Sequence, residues 1–248
     1  MSARFYFPGE LPHQGEVELG SAAAHHALKV LRLAPGDPLV LFDGSGGELR
    51  ARLDIRGRAA FAVDGLWQAL SRESALNIVL VQALASGDKM DWVIQKAVEL
   101  GAAGVIPVQA GRSVLKLGGE RADKRILHWQ QVIVAACEQC GRNRLPFVTP
   151  ITTLTAYLGA AREVQRLILA PGGERLASVI AALQAESAPS APLPLHLLVG
   201  PEGGWSEGEL AQAVRAGCRP VGFGPRILRT ETAGLAALAV VQAGWGDC

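Results

Sequence analysis

The sequence lacks the features that mark membrane and exported proteins. No apolar run approaches the ~20 residues that a bilayer-spanning helix requires. The opening residues, MSARFYFPGE, carry an early charge and contain no long apolar stretch, which is not the pattern of a signal peptide. We therefore expect a cytoplasmic protein without a membrane partner.

Cysteine is scarce, at 4 of 248 residues. Cys137 and Cys140 form a CxxC pair, but no second pair lies at the spacing of a zinc site. The pair falls in a segment of helical pattern, where residues three apart share roughly one face. We expect reduced, structural cysteines and no metal site, with metal or redox chemistry of this pair as the alternative.

Net charge is small as well: 24 Lys and Arg against 23 Asp and Glu leave +1, which by itself does not indicate nucleic-acid binding. The distribution says more, because seven basic and three acidic residues lie between Arg112 and Arg144. Such a local excess is typical of a solvated helix face or of a phosphate-contacting surface. The basic residues are Arg112, Lys116, Arg121, Lys124, Arg125, Arg142 and Arg144.

The sequence is rich in apolar residues, at 49% against 19% charged, which is enough for a sizeable core. Over about the first 70 residues, short strand patterns joined by glycine turns predict a small β-barrel. From about Ser71, strand and helix patterns alternate, which predicts a mostly parallel α/β sheet. We predict two domains, residues 1–71 and 72–248.

Several elements can be placed from periodicity and turn residues. A helix is expected over Ala22–Leu33. Asp88 is expected to cap a helix that Gly101 ends, and 186–194, rich in Pro, Ser and Ala, is expected to form an exposed loop. Strands are predicted at 77–83, 104–108, 165–170 and 195–199, and helices at 89–100, 120–139, 153–161 and 174–185.

The stretch Leu195–Gln242 contains two successive units of apolar run, glycine-containing turn and helix. In the first, Ser206 and Glu209 have the spacing of a capping box. Glycine lets a ligand approach the backbone closely, and ligands of open α/β sheets bind beyond the carboxyl ends of the strands. The two turns predict a binding pocket, with ordinary βα loops as the alternative. No G-x-G-x-x-G follows the first strand of a βαβ unit, which disfavours a nucleotide-binding oxidoreductase.

The last helix, Ala233–Ala243, is apolar around nearly its whole circumference. A helix of this kind is buried on all sides. One face can pack on the sheet of its own chain, and the other needs a second partner, either another subunit or further elements of the same core. The substitution Ala237→Glu would test the subunit interface.

Several motifs together resemble a known family. LLVGPEGGWSEGEL and FGPRILRTETAGLAAL are similar to the signature of SPOUT methyltransferases, and specifically of the RsmE family of small-subunit ribosomal RNA uridine N3-methyltransferases. GDKMDWVIQKAVELG, GRSVLK, AACEQCGRNRLP and the N-terminal RFYF, HHALKVLRLAPGD and LFDGSGGE also resemble this family, in the same order. The resemblance covers essentially the whole chain. Minor departures are Lys89, Trp205 and Phe223.

The resemblance implies a PUA-like β-barrel that helps to hold RNA, followed by a SPOUT-type, mostly parallel α/β domain with a deep trefoil knot at its C-terminal end. It implies S-adenosylmethionine as cofactor and methylation of uracil N3 in 16S ribosomal RNA. The partners would be small-subunit ribosomal RNA or the 30S subunit, and a second copy of the chain that binds through the C-terminal domain, including the helix Ala233–Ala243. Alternatives are a SPOUT enzyme that acts on transfer RNA or on a ribose 2′-hydroxyl, and a non-catalytic RNA-binding assembly factor.

Site residues follow from the same resemblance. Arg229 is expected to orient or stabilise the uracil as it loses its N3 proton, and Glu231 to act as the base or to hold Arg229. The expected RNA contacts, each of which could instead be a solvated charge, are Arg4, Arg32, Lys89, Arg112, Arg142 and Arg144. The expected cofactor contacts are Leu169, Ala170, Gly200, Pro201, Glu202, Gly203, Phe223, Gly224, Pro225, Ile227, Leu228, Arg229, Thr232 and Ala233.

Overall fold

The computed structural model describes residues 2–160, 163–186 and 193–248, which form two compact units. The first unit comprises the chain up to Glu73 together with Val134–Leu145, and the second comprises Ser74–Ile133 and the chain from Pro146 onward. The domain division at residue 71 stays a prediction. Most of the loop predicted at 186–194 lies outside the described residues, as does the last residue of the helix predicted at 153–161.

A five-stranded sheet is the framework of the first unit. Its strands are β1 (Ala3–Tyr6), β2 (Gln14–Glu18), β3 (Pro38–Phe42), β4 (Gly47–Arg56) and β5 (Ala59–Ala69), in the order β1-β3-β4-β5-β2. β1 runs parallel to β3, and the other neighbours are antiparallel. On β4, Leu49, Ala51 and Leu53 are buried while the residues between them are exposed, which is the period of two that a strand produces.

The connection between β2 and β3 differs from the continuous helix predicted over Ala22–Leu33. A short helix, α1 (Ser21–His25), passes directly into one π-helical turn, His26–Val30. Arg32 then adopts a φ of 54°. A residue in the left-handed region cannot continue a right-handed helix, so the helical segment ends earlier than predicted.

The second unit contains a parallel sheet, which confirms the predicted α/β class. β6 (Ile78–Ala83) and β11 (Leu195–Val199) are buried at every residue, as expected for strands covered on both faces. The remaining strands are β7 (Gly104–Gln109), β8 (Phe147–Val148), β9 (Thr152–Thr153), β10 (Gln165–Arg175) and β12 (Arg219–Gly222). The order is β12-β10-β11-β6-β7-β8, and β9 also pairs with β7.

β10 is longer than the predicted strand, because it continues through Gly173 to Arg175. A Cβ at Gly173 would lie 2.7 Å from backbone atoms of Val221 on β12, so only glycine permits this close approach. The register between the two strands shifts between Leu169 and Glu174, which marks a local irregularity. The following helix therefore starts later than the predicted residue 174.

Helices connect the strands of this sheet. They are α2 (Lys89–Glu99), α3 (Glu120–Cys140), α4 (Leu154–Gly159), α5 (Leu176–Glu186), α6 (Glu207–Arg215) and α7 (Thr230–Trp245), and α3 belongs to the first unit from Val134 onward. The capping box of α6 is confirmed, since Ser206 and Glu209 each accept a backbone hydrogen bond from the other. Asp88 occupies the cap position of α2 but makes no side-chain capping bond. In the described part of the chain, no helix is long and apolar enough to cross a membrane.

The last helix, α7, is covered along one side rather than all round. Gly234, Ala237 and Leu238 are buried, and the helix packs against α2, α5 and β11. Ala239 and Ala243 are exposed. Because Ala237 is 0% exposed, Ala237→Glu would place a carboxylate in the core of its own chain, and the expectation that this substitution tests a subunit interface is wrong.

Candidate active site

The carboxyl ends of β6 and β11 lie side by side, since Val199 pairs with Gln82 in the parallel register. A buried chain of hydrogen bonds attaches the start of α7 to both strand ends. Gln82 Nε2 donates to Thr230 Oγ1 at 2.9 Å, and Thr230 Oγ1 donates to the Gly200 carbonyl at 2.6 Å. The first turn of α7, which carries Glu231, is therefore fixed at this edge of the sheet.

Glu202, in the turn after β11, closes the same edge. Its Oε1 accepts from the Ser86 amide at 3.0 Å, from Ser86 Oγ at 2.8 Å and from Lys89 Nζ at 3.0 Å. Partial burial acts to raise the pKa of the Glu202 carboxyl, but the hydrogen bonds from Ser86 and Lys89 outweigh it and lower this pKa to about 2. Glu202 is thus ionised at neutral pH and joins the turns that follow β6 and β11.

Glu231 reaches the same group of charges from α7. Its Oε2 lies 3.7 Å from Lys89 Nζ, so this lysine pairs with two carboxylates. The Glu231 Oε2 atom is buried and has no hydrogen-bond partner in the part of the chain that the structure describes. The same holds there for Gln82 Oε1 and for Trp205 Nε1. Buried polar atoms without partners are uncommon in folded proteins, and these three can pair with polar groups of a ligand.

A third turn, after β7, joins the site. Arg112 Nη1 donates to the Gly203 carbonyl at 3.1 Å, and the Gly111 amide donates to Glu209 Oε1 at 2.7 Å. Arg112, predicted to contact RNA, is exposed and lies against the turn that contains Gly203.

The segment after β12 is the most open part of the site. Ile227 is 87% exposed although it is aliphatic, Leu228 is half-buried and Arg229 is exposed. Near its start, Gly222 approaches the Ala170 carbonyl so closely that a Cβ would lie 3.1 Å from it. The predicted cofactor residues of β10 and of the segment 223–229 are thus neighbours, and their role stays a prediction.

The predicted RNA residues of the first unit have different environments. Arg4 donates to Glu48 at 2.7 Å and to Asn143 at 2.6 Å, and Arg142 is paired with Glu73. These two side chains are only 12% and 7% exposed, so their carboxylate contacts compete with any phosphate. Arg32 and Arg144 are exposed.

Two further arginines of the same unit, Arg50 and Arg72, were not among the RNA contacts predicted from the sequence. Arg50 Nε and Arg72 Nη1 both donate to Glu48, each at 3.1 Å, and their side chains remain 55% and 39% exposed. The alternation on β4 indicates that Arg50 faces outward. Nothing in the sequence indicates that Arg50 and Arg72 contact the same carboxylate, Glu48. Both offer guanidinium surface to a phosphate.

The cysteines are free, and Cys137 and Cys218 are buried. Burial raises the pKa of the Cys137 thiol to about 12 and that of Cys218 to about 11. Both are protonated at neutral pH, whereas metal ligands are thiolates. Among the residues that the structure describes, no group of three or more His, Cys, Asp or Glu side chains could hold a metal ion.

Comparison with known proteins identifies the family. The sequence model of an RNA methyltransferase domain matches residues 72–242, and that of an RNA methyltransferase PUA domain matches 19–62. Ribosomal RNA small subunit methyltransferase E of Bacillus subtilis is 33% identical over 223 residues, which cover 88% of this chain and 86% of the relative. The chain belongs to this methyltransferase E family. The enzyme of the same name from Mycobacterium tuberculosis is 33% identical over 247 residues, 97% of this chain and 92% of its own.

Solved structures agree with the family. Methyltransferase E of Neisseria gonorrhoeae, crystallised with S-adenosylmethionine, is 39% identical with a TM-score of 0.87 over 100% of this chain and 99% of its own. A methyltransferase of Legionella pneumophila, also solved with this cofactor bound, is 35% identical with a TM-score of 0.90 over 100% of both chains. The match to the RNA methyltransferase PUA domain lies within the first unit and confirms the predicted PUA-like domain.

Proposed function

We propose that this chain transfers the methyl group of S-adenosylmethionine to N3 of a uridine in small-subunit (16S) ribosomal RNA, on the free RNA or on the 30S subunit. The observation that carries this proposal is the full-length likeness to the cofactor-bound methyltransferase E of Neisseria gonorrhoeae. The site at the strand ends of the second unit supports it, because three turns and the start of α7 converge there.

The residues at this edge fit such a cofactor. Three buried polar atoms there lack partners among the described residues, glycines permit close backbone approach, and the exposed Ile227 offers apolar surface to an adenine. When bound, S-adenosylmethionine supplies an electrophilic methyl group on a sulfonium. The residues assigned to hold it are those predicted from the sequence. They are Leu169, Ala170, residues 200–203, residues 223–225, residues 227–229, Thr232 and Ala233.

The chemistry of N3 then requires one proton acceptor and one cation. Neutral uracil carries a proton on N3, and this proton passes to the Glu231 carboxylate as N3 bonds to the methyl carbon and the carbon–sulfur bond breaks. Arg229 stabilises the negative charge that develops on the uracil. The position of Glu231 in the first turn of α7, at the strand ends, supports this role. The pyrimidine must be unstacked for its N3 edge to reach this site.

Three features of the architecture belong to the same proposal. The C-terminal part of the second unit forms a deep trefoil knot, the PUA-like domain ends near residue 71, and two copies associate through α7. The apolar residues on the uncovered side of α7, including Ala239 and Ala243, support the association. The cytoplasm is the compartment that a ribosomal RNA substrate implies.

Mass spectrometry of ribosomal RNA tests the activity. We expect N3-methyluridine to disappear from one position of 16S RNA in cells that lack this protein, and to return when purified protein and S-adenosylmethionine are added to their 30S subunits. An unchanged modification pattern in the deletion strain would refute the proposal. A missing 2′-O-methyl group or a change confined to transfer RNA would instead identify the alternative substrates.

A further inference from the structure

The face of β4 opposite the hydrophobic core of the first unit carries a carboxylate that arginines share. Glu48 and Arg50 are two residues apart on this strand and so lie on the same face, whereas Leu49 and Ala51 belong to the core. Glu48 Oε1 accepts from Arg50 Nε at 3.1 Å, and Glu48 Oε2 accepts from Arg72 Nη1 at 3.1 Å. The two guanidinium groups therefore lie beside the two oxygens of one carboxylate.

Much of the surface of these two guanidinium groups remains accessible. The side chain of Arg50 is 55% exposed and that of Arg72 is 39% exposed. Among the described residues, Arg50 donates only through Nε, and Arg72 donates only through Nη1, to Glu48 and to the Gly141 carbonyl. The other N–H groups of both side chains can bond to an acceptor from outside. Phosphate oxygens suit them, because a guanidinium group binds a phosphate through two parallel hydrogen bonds.

The charges of this group do not cancel. Arg4 is a third arginine on Glu48, at 2.7 Å, so three cations share one anion and leave a surplus of two positive charges. Burial acts to raise the pKa of Glu48, but the hydrogen bonds from the arginines outweigh it and lower this pKa to about 2, so Glu48 counts as an anion at neutral pH. In the described chain, Glu48 is the only ion-pair partner of Arg50 and of Arg72. The surplus favours an anionic partner.

The shared carboxylate is itself held firmly. Glu48 is 1% exposed and accepts from Arg4 Nη1 at 2.7 Å and from Asn143 Nδ2 at 3.3 Å. A fixed carboxylate orients the two exposed arginines before a ligand arrives, which reduces the conformational entropy that they lose on binding. Arg58, in the turn between β4 and β5, is exposed as well but has no hydrogen-bond or ion-pair partner among the described residues. It lacks such an anchor.

We propose that Arg50 and Arg72, held in place by Glu48, bind neighbouring phosphates of the small-subunit ribosomal RNA. This inference deepens the proposed function and rests on it for the identity of the RNA. Contacts to the backbone supply affinity and orientation, whereas contacts to base edges supply sequence specificity. The arginine pair therefore helps to hold the substrate on the first unit and takes no part in the selection of the uridine.

Binding as a function of salt concentration tests the assignment. The variants are Arg50→Gln, Arg72→Gln, the combination of both and, as matched control, Arg58→Gln. Arg50→Lys and Arg72→Lys keep the charge but replace the guanidinium group. The partners are 30S subunits from the deletion strain and 16S ribosomal RNA freed of protein. Calorimetry measures the affinity for S-adenosylmethionine, and circular dichroism checks the fold.

For each single glutamine variant we expect the affinity for both RNA partners to fall about 10-fold. The slope of log affinity against log salt should become shallower by about 0.7–0.9 in each single variant and by about twice as much in the double variant. The lysine variants should keep the slope and lose affinity, because an ammonium cannot form the two parallel hydrogen bonds. Arg58→Gln should bind as the unmodified protein does, and the affinity for S-adenosylmethionine should not change in any variant.

Three results would overturn the proposal. An unchanged slope in the double variant would show that the pair contacts no phosphate. Weaker binding to 30S subunits with unchanged binding to protein-free 16S RNA would mean that the pair contacts a ribosomal protein. An equal loss of slope in Arg58→Gln and Arg50→Gln would reduce the effect to overall charge.

A second variant at each position covers the case of misfolding. Should a glutamine variant fail to fold, the lysine variant at that position takes its place, and an affinity equal to that of the unmodified protein refutes the proposal. All of these results leave the proposed function standing if the unmodified protein transfers methyl to the 30S subunits. An unmodified protein that binds them but transfers no methyl refutes the proposed function alone.

Discussion

Arg229 stands at the cap position of α7 with extended backbone angles, and its carbonyl accepts from the amides of Thr232 and Ala233 at 3.0 and 2.8 Å. Its side chain is exposed and has no hydrogen-bond or ion-pair partner within the described residues. The backbone of this residue is thus fixed by the helix, while its guanidinium is available to a substrate. The positive end of the α7 dipole adds to the same preference for negative charge.

At this scale we predict that Arg229→Ala lowers the rate of methyl transfer by about 100-fold, as loss of a donor to a developing anion does. The affinity for S-adenosylmethionine in calorimetry should change little. The matched control is Arg226→Ala, which removes another exposed arginine three residues earlier and should keep nearly full activity. Full transfer by Arg229→Ala would remove this residue from the mechanism.

At the scale of single elements, β4 carries a buried carboxylate that holds three arginines. Glu48, 1% exposed, accepts from Arg4, Arg50 and Arg72. Burial acts to raise the pKa of this carboxyl, but the hydrogen bonds from the arginines outweigh it and lower the pKa to about 2 from 4.5. A carboxyl with a depressed pKa in the folded state stabilises the fold above its unfolded pKa, and this stability is lost as the pH falls through the folded value.

We therefore predict that the free energy of unfolding falls between about pH 4.5 and pH 2, and that Glu48→Gln flattens this dependence. At neutral pH, Glu48→Gln should cost about 3 kcal/mol because it leaves Arg4 buried without its anion. Urea denaturation followed by circular dichroism measures both. Glu16→Gln, which removes an exposed partner of Arg56, should cost much less than Glu48→Gln, because solvent screens an exposed ion pair. Equal losses in the two variants would contradict the role of Glu48.

At the scale of the whole molecule, α7 links the proposed site to the proposed association of two copies. Its first turn carries Glu231 at the strand ends, one side packs on its own unit, and the opposite side exposes alanines. A partner that covered this side would bury the helix all round, as its composition indicates.

We predict that Ala239→Glu converts a dimer to a monomer in sedimentation or light scattering while the fold is kept, because the side chain is exposed in the single chain. Ala237→Glu should instead lower stability severely, since that position is 0% exposed. Glu207→Ala, on the exposed surface of α6, should alter neither property. A monomeric unmodified protein would refute the association.

The sequence by itself determined the elements whose signals are local. The capping box of Ser206 and Glu209 and the apolar runs of β6 and β11 were predicted from the sequence, because neighbours along the chain produce these patterns. The motifs around 200–204 and 223–232 indicated the family for the same reason. The continuation of β10 to Arg175 was not readable, since it depends on the backbone of β12, some fifty residues later.

Only the tertiary structure decided which charges meet. Lys89, Glu202 and Glu231 are far apart along the chain, and so are Arg4, Glu48 and Asn143, yet each set lies within hydrogen-bond or ion-pair distance. A charged side chain in a sequence is compatible with solvent, RNA or another side chain, and its surroundings select among them. The tertiary structure also determines which side of α7 is buried. The sequence of this helix is apolar on all sides and so does not distinguish one face from another.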